Sequence, residues 1–312
     1  MASFRSGFVS IIGRPNAGKS TLLNALVGEK LAIVTHKAQT TRNRIQGFVN
    51  VKPRKNRPAG QIIFIDTPGV HKPESQLSRR MMQEVYDALE GRDLLLLIVD
   101  ATKKFGTGDE FVLDLIKKAG GKVFLLLNKV DLVHKDKLLP MIAEYSKLHK
   151  FDEIIPISAR KKDGFDLLLD KVVSALPEGP RYFAADQITD VPERFLVSEI
   201  IREKILVAAA EEVPYATAVV IEQYEEGKKL TRISATIICE RAGQKAILIG
   251  KGGEMLKSIG TKARMDIERL VGTKVFLELF VKVVPDWRSS KRFIEDLDWR
   301  RQLENLGTAK PE

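Results

Sequence analysis

Gly13-Arg14-Pro15-Asn16-Ala17-Gly18-Lys19-Ser20 lies between an apolar run, 7–12, and a segment in which Leu22, Leu23, Leu26 and Val27 recur at helical spacing before Gly28. Strand, glycine loop and helix in that order form the setting of a P-loop, G-x-x-x-x-G-K-[ST]. The glycines let the backbone curl until its N–H groups point at phosphate oxygens. The helix N-terminus adds positive potential there. Lys19 is placed to bridge β- and γ-phosphates, and Ser20, followed by Thr21, to offer Mg²⁺ a hydroxyl. A nucleoside triphosphate is implied, but not which one.

Later motifs narrow the base. Gln61 to Ile65 reads as a strand ending in Asp66-Thr67-Pro68-Gly69. A carboxylate at that strand end suits the Mg²⁺ shell, and the N–H of Gly69 suits a γ-phosphate. Leu94–Val99 and Val123–Leu127 read as buried strands, and the second runs into Asn128-Lys129-Val130-Asp131. The Asp131 carboxylate can accept from N1–H and the 2-amino group of guanine. Adenine offers neither donor, which would leave the acid unsatisfied in a closed site. Ile154–Ile157 leads into Ser158-Ala159-Arg160, where a backbone N–H can meet guanine O6. Each motif follows a strand, at the edge where open parallel sheets bind ligands.

The chain has 312 residues, 44% hydrophobic and 29% charged, a length for about two globular domains. No apolar run approaches the ~18 residues of a membrane span. No signal pattern precedes the first strand, so export is not expected. Cys239 is the only cysteine and sits in an apolar alternating stretch, where it reads as a buried, inert thiol in a reducing compartment. Residues 1–180 hold 29 basic and 20 acidic side chains, and 181–312 hold 22 and 21. The second part is polarised: 241–301 is basic, 14 against 8, and 186–240 acidic, 6 against 11. A basic balance suits a polyanion partner as well as ordinary solvation.

Leu176-Pro177-Glu178-Gly179-Pro180 ends the first domain. A helix is expected from about Asp190 to Glu212, then strands near 216–223 and 234–240. A short helix over 244–249 meets Gly250-Lys251-Gly252-Gly253, a longer helix follows, and a strand spans 275–283. The order is α-β-β-α-α-β. A G-x-x-G loop between paired helices lets a nucleic-acid backbone approach closely. Beyond it, Trp287, Arg288, Lys291, Arg292 and Phe293 interleave aromatic and basic groups. That suits stacking on unpaired bases, and equally the packing of the tail onto the domain.

The first-half motifs resemble the translation-factor-related GTPases, and with the second half specifically the bacterial Era family. The glycine loop in its α-β-β-α-α-β setting resembles the type II KH domain. The resemblance implies a P-loop GTPase α/β fold, with a doubly wound, mostly parallel sheet, over 1–180. It implies a linker at 181–190, an α+β KH domain at 191–285 and a tail at 286–312. It implies GTP or GDP bound by residues 13–21, by Asp66 to Gly69, and by Asn128, Lys129, Asp131, Ser158 and Ala159. Mg²⁺ would be held by Ser20, Asp66 and Thr41, the first switch threonine. Thr40 is adjacent with the same hydroxyl, so the sequence leaves both open. Catalysis would rest on Asn16, Lys19, Thr41 and Gly69.

Val70 stands where Ras-like enzymes place the glutamine that orients water. The chain therefore resembles GTPases that hydrolyse slowly alone, and in several of those a P-loop asparagine, here Asn16, helps hold K⁺. Loop shaping by Asn16 is the competing role. RNA would meet Ile249, Gly250, Lys251, Gly252, Gly253, Trp287 and Arg288. The implied partners are the 3′ end of 16S ribosomal RNA and the small ribosomal subunit, with a monomeric, cytoplasmic protein and peripheral membrane contact as a further location. Three classes compete: a ribosome-assembly GTPase, an RNA-binding module with a silent nucleotide domain, and a membrane-surface GTPase. The full motif set favours the first over the second. The lack of a lipidation motif or basic amphipathic helix weakens the third.

Overall fold

The computed structural model describes residues 4–37, 40–54, 57–210 and 212–301. Gln39, beside the switch threonines, and the last part of the tail, 302–312, lie outside the described residues. The chain divides into two compact units, 1–72 with 80–190, and 73–79 with 191–312.

The first unit runs β1 (Arg5–Ile12), α1 (Lys19–Val27), β2 (Ile45–Val51), β3 (Gly60–Asp66), α2 (Gln76–Leu89, its first four residues counted with the second unit), β4 (Leu94–Asp100), α3 (Thr107–Ala119), β5 (Val123–Asn128), α4 (Leu138–Leu148), β6 (Glu153–Pro156) and α5 (Phe165–Ala175). The sheet order is β2-β3-β1-β4-β5-β6. All pairs are parallel except β2 with β3. The apolar side chains of β4 and β5 are at most 5% exposed. Parallel strands covered on both faces need such unbroken apolar runs rather than alternation. Consequently the polar residues collect at the strand ends, where Asp66, Asp100 and Asn128 close β3, β4 and β5.

β2 escaped the sequence pattern. It contains Gly47, where a Cβ would press to 2.7 Å on Leu23 Cδ1 and Val27 Cγ2. The glycine lets α1 lie close on the strand, at the expense of a recognisable alternation. The stretch 181–190, expected as a linker, is bound along β2 and β3. Gln61 Oε1 accepts from the N–H groups of Tyr182 and Phe183 at 2.9 and 3.0 Å, and its Nε2 donates to Phe183 O at 2.9 Å. Phe183 stacks on Phe48 with ring centroids 3.8 Å apart. Phe48 N–H donates to Ile188 O at 2.8 Å, and Thr189 Oγ1 to Gln46 O at 2.6 Å. The edge of the sheet is thereby covered rather than left open for pairing.

The second unit carries α6 (Glu193–Ala208), β7 (Ala218–Glu225), β8 (Leu230–Cys239), α7 (Ala242–Ile249), α8 (Glu254–Val271), β9 (Lys274–Val283) and α9 (Lys291–Asp296). Its first six elements follow the expected α-β-β-α-α-β order. α6 is shorter than expected: Pro192, not Asp190, caps it, and it ends at Ala208. β8 is central, antiparallel to β7 and parallel to β9. Ile201, Ile205, Ile233, Ile237, Ile259 and Ile267 form the core between helices and sheet. Cys239 belongs to that core, and burial pushes its thiol pKa up, which suits an inert group.

Candidate nucleotide site and glycine-loop groove

The turn after β1 is forced by close packing. A Cβ on Gly13 would sit 2.3 Å from Ile98 O, and one on Gly18, where φ is +105°, would sit 2.2 Å from Asn128 Nδ2. Only glycine admits both contacts. Lys19 opens α1 and is buried, with Nζ donating to Gly13 O at 3.0 Å and Arg14 O at 2.9 Å. Burial lowers its pKa to about 8, against the opposing pull of Asp66. Thr21 lines the same cleft with Pro15, Asn16 and Thr41.

Ser20, Thr41 and Asp66 converge. Ser20 Oγ donates to Asp66 Oδ2 at 2.6 Å and lies 2.8 Å from Thr41 Oγ1, which is 3.4 Å from Asp66 Oδ2. Thr40 points its hydroxyl elsewhere, donating to Lys37 O at 2.7 Å. Thr41 is therefore the threonine at the carboxylate. Asp66 is fully buried, and its Oδ1 has no hydrogen-bond partner. Burial raises its pKa to about 6, opposed by Lys19 and by hydrogen bonds from Ser20, Thr41 and Thr67. A buried carboxylate with an orphaned oxygen, flanked by two hydroxyls, is a donor set that fits a hard cation such as Mg²⁺. Beside it, Thr67 Oγ1 donates to Ile11 O at 2.8 Å, fixing the turn through Pro68. Gly69 abuts the P-loop, where a Cβ would meet Pro15 Cα at 2.9 Å. Val70 N–H donates to Gly13 O at 3.1 Å, and its side chain is buried. Asn16 takes a left-handed φ of 63° and donates its amide to His36 O at 2.8 Å.

The base end is joined by Asn128. Its Nδ2 donates to Ala17 O at 2.8 Å, and its Oδ1 accepts from Ala159 N–H at 2.9 Å. One side chain thus closes the P-loop onto the Ser158-Ala159 turn. Ser158 Oγ donates to Asp131 Oδ1 at 2.7 Å, setting the carboxylate that was expected to read guanine. Two partners were not found from the sequence. Asp100 Oδ2 accepts from Lys129 Nζ at 2.6 Å, while its Oδ1 accepts from Thr102 N and Oγ1 at 3.0 and 2.7 Å. Burial disfavours ionised Asp100, but the Lys129 and Thr102 hydrogen bonds overcome it and hold the pKa below the usual value. Asp109 caps α3 through Gly106 N–H at 3.0 Å and pairs with Arg14 at 2.9 Å, steadying the P-loop from outside. The signal for Asp100 was its place at a strand end beside the others. Asp109 gave none beyond the capping pattern.

In the second unit, Ile249 ends α7 and Gly250 caps it with φ +72°. Lys251 is exposed, and Gly252 and Gly253 have φ of +59° and +83° with nothing within 4 Å of an added Cβ. The loop therefore presents open backbone at the start of α8. Beside it a groove runs between α8 and β9, lined by Gly253, Leu256, Lys257, Arg264, Leu277 and Leu279. One expected RNA contact is corrected. Trp287 is fully buried, with Nε1 donating to Ala216 O at 2.9 Å, so it is a core anchor and not a stacking surface. Arg288, also expected there, grips the Glu240 carboxylate with Nε at 3.0 Å and Nη2 at 2.5 Å, and its side chain is 37% exposed.

Family models match both units: 50S ribosome-binding GTPase over residues 8–129, and KH domain over 212–288. The chain is 49% identical over 298 residues to GTPase Era of Syntrophus aciditrophicus, covering 95% of each. It is 51% identical to GTPase Era of Geobacter metallireducens, covering 95% of this chain and 98% of that one. Two solved structures superpose with TM-scores of 0.89 at 40% identity, each covering 95% of this chain and 99% of the other. One is a variant of Aquifex aeolicus Era bound to GDP·AlF4⁻, and the other is Era with MgGDPNP and nucleotides 1506–1542 of 16S ribosomal RNA. With a P-loop cleft and a KH domain in one chain, and about half of the aligned residues shared with relatives over 95% of its length, the chain belongs to the Era family of GTPases.

Proposed function

We propose that this GTPase holds Mg·GTP in the cleft between the P-loop and Thr41, hydrolyses it slowly, and binds 16S ribosomal RNA near its 3′ end through the glycine loop and adjoining groove. Its role is in assembly of the small (30S) subunit, in the cytoplasm, with nucleotide state gating RNA binding. No helix among the described residues is long and apolar enough to cross a membrane. The observation that carries the proposal is the convergence of Ser20, Thr41 and Asp66 on one buried point, in a chain that also carries a KH groove.

Mg²⁺, when bound, would neutralise charge on the phosphate oxygens. The protein's own groups do the rest. Lys19 and the P-loop N–H groups meet phosphate, Gly69 N–H meets the γ-phosphate, and Asp131 selects guanine. Thr41 sits on the switch segment and touches the metal-facing carboxylate, so its place depends on what occupies that point. The Val70 side chain, 2% exposed, offers an attacking water no hydrogen bond, which is why hydrolysis is slow. Asn16 spends its amide nitrogen on His36, leaving its oxygen as the group to offer K⁺.

The test is titration of a single-stranded oligonucleotide matching the 3′ end of small-subunit ribosomal RNA, against a scrambled one, with GDP and with a non-hydrolysable GTP analogue. Matched RNA is expected to bind tighter, and to different extents in the two nucleotide states. Equal affinity for matched and scrambled RNA discards the ribosomal assignment. Equal affinity in both nucleotide states discards the gating.

A further inference from the structure

β9 has two faces, and only one belongs to the groove. Leu277 and Leu279 turn toward α8 and line it. The alternate residues, Lys274, Phe276, Glu278, Phe280 and Lys282, are exposed on the opposite face. Phe276 is 46% and Phe280 54% exposed, unusual for large aromatic side chains on a strand. They stand four residues apart, about 13 Å along the strand. Register pairs Phe276 with Arg232 and Phe280 with Thr236 on β8. The Arg232 guanidinium lies 5.6 Å from the Phe276 ring centroid, a cation–π contact at the surface. β9 is also the edge strand of this sheet.

We infer that this outer face is a second RNA surface, on which bases of the strand leaving the groove over the β9 edge stack against Phe276 and Phe280. The inference rests on the groove being an RNA site, as proposed above, and extends it beyond the four nucleotides that a KH groove holds. Two features choose RNA as the occupant. The surface is continuous with the groove through a single strand of protein. Its aromatic rings are spaced along that strand rather than fused into one greasy patch, which suits successive bases of a polymer. Lys274, Lys282 and Arg232 stand around the rings, Lys274 3.7 Å from Glu268 and Arg232 paired in register with Glu225 on β7, and the carboxylate of Glu278 lies between the rings. That carboxylate can accept from the exocyclic amino group of a base. Aromatic rings on an open sheet face are the device by which other single-strand binders hold two or three bases.

The test uses the full chain and the 3′-end oligonucleotide in two lengths, four and ten nucleotides. Phe276→Leu and Phe280→Leu keep apolar bulk but remove the ring. Each is expected to weaken the ten-nucleotide RNA about tenfold while changing the four-nucleotide RNA less than twofold. Phe280→Trp should retain the long-RNA affinity. A 2-aminopurine placed in the distal half of the long RNA should be quenched by the parent and less so by the leucine variants. Lys251→Asp with Gly252→Asp should weaken both lengths, which separates the groove from the outer face. Leucine variants that bind the long RNA like the parent overturn the inference. So do equal losses at both lengths, or a concentration-dependent dimer of the parent that Phe280→Leu abolishes. A parent that binds neither length overturns the groove and this surface together.

Discussion

The nucleotide cleft and the glycine loop of the second unit are both shaped by glycine backbone, but they are built in opposite ways. Around the cleft, glycines are compulsory because neighbours crowd them, as Ile98 O crowds Gly13. Side chains such as Asn128, Asp66 and Asp100 then cross-link the loops. In Gly250–Gly253 only Gly250 is crowded, by Met255, and a Cβ on Gly252 or Gly253 would meet open space. The first site is organised before its ligand arrives. The second leaves open space at its glycines. Loss of function in the first should therefore follow from changing one polar side chain, and in the second from adding bulk or charge.

The largest effect is expected at Asp131. Asp131→Asn removes a charged acceptor of two hydrogen bonds, and GTP affinity should fall about 10²–10³-fold while xanthosine triphosphate binding rises. Equal GTP affinity in parent and variant, measured by fluorescent-nucleotide titration, would falsify the base assignment. Next is the double change Lys251→Asp with Gly252→Asp. RNA affinity should drop about 10- to 100-fold and steepen less with salt, because a phosphate contact is lost. GTP hydrolysis should be unchanged. An intact RNA affinity in the folded variant would show that the open loop is not the binding backbone.

A third contrast concerns charge. With its pKa raised to about 6, Asp66 in the metal-free folded chain keeps a proton that the unfolded chain gives up near 4. Its contribution is thus fully present at low pH and lost as pH rises through about 6. Thermal midpoints between pH 4.5 and 7.5 should fall by several degrees relative to Asp66→Asn, and millimolar Mg²⁺ should restore the parent above pH 6. A parent that tracks Asp66→Asn through that window removes the buried-acid account. The smallest effect is expected at Asp100. Asp100→Asn should weaken GTP and GDP alike, by about fivefold, by freeing Lys129 beside the base. Its effect should vanish in a Lys129→Ala background. Additive losses in that cycle would mean the pair acts only on the fold.

Much of this site was legible because strands of one composition, unbroken and apolar, end in polar motifs of fixed order. Chain order alone then places Asp66, Asn128 and Ser158 together. Thr41 could not be told from Thr40, since two adjacent hydroxyls differ only in the path of the loop between them. β2 was hidden by Gly47, whose purpose is contact with α1, and the binding of 181–190 was hidden because backbone groups and one glutamine make it. Trp287 misled for a general reason: an aromatic among basic residues has the same composition whether it faces RNA or the core. The indole N–H bond to Ala216 O, made in a fully buried place, is what distinguishes the two.

β4 and β5 lie side by side, and their charge-free runs, Leu94–Val99 and Val123–Leu127, would be strongly adhesive if ever exposed. Charges stand at their borders: Arg92 and Asp93 before β4, Asp100 at its end, Lys122 before β5 and Lys129 after it. Arg92 is tied to the carbonyls of Leu89 and Gly120, and Asp100 to Lys129, so these gatekeepers are held in place while the sheet is intact. Bound nucleotide stabilises the folded chain by mass action. The pair that borders the base site therefore also guards the two stickiest segments of the protein, and starving the chain of guanine nucleotide should cost it solubility as well as activity.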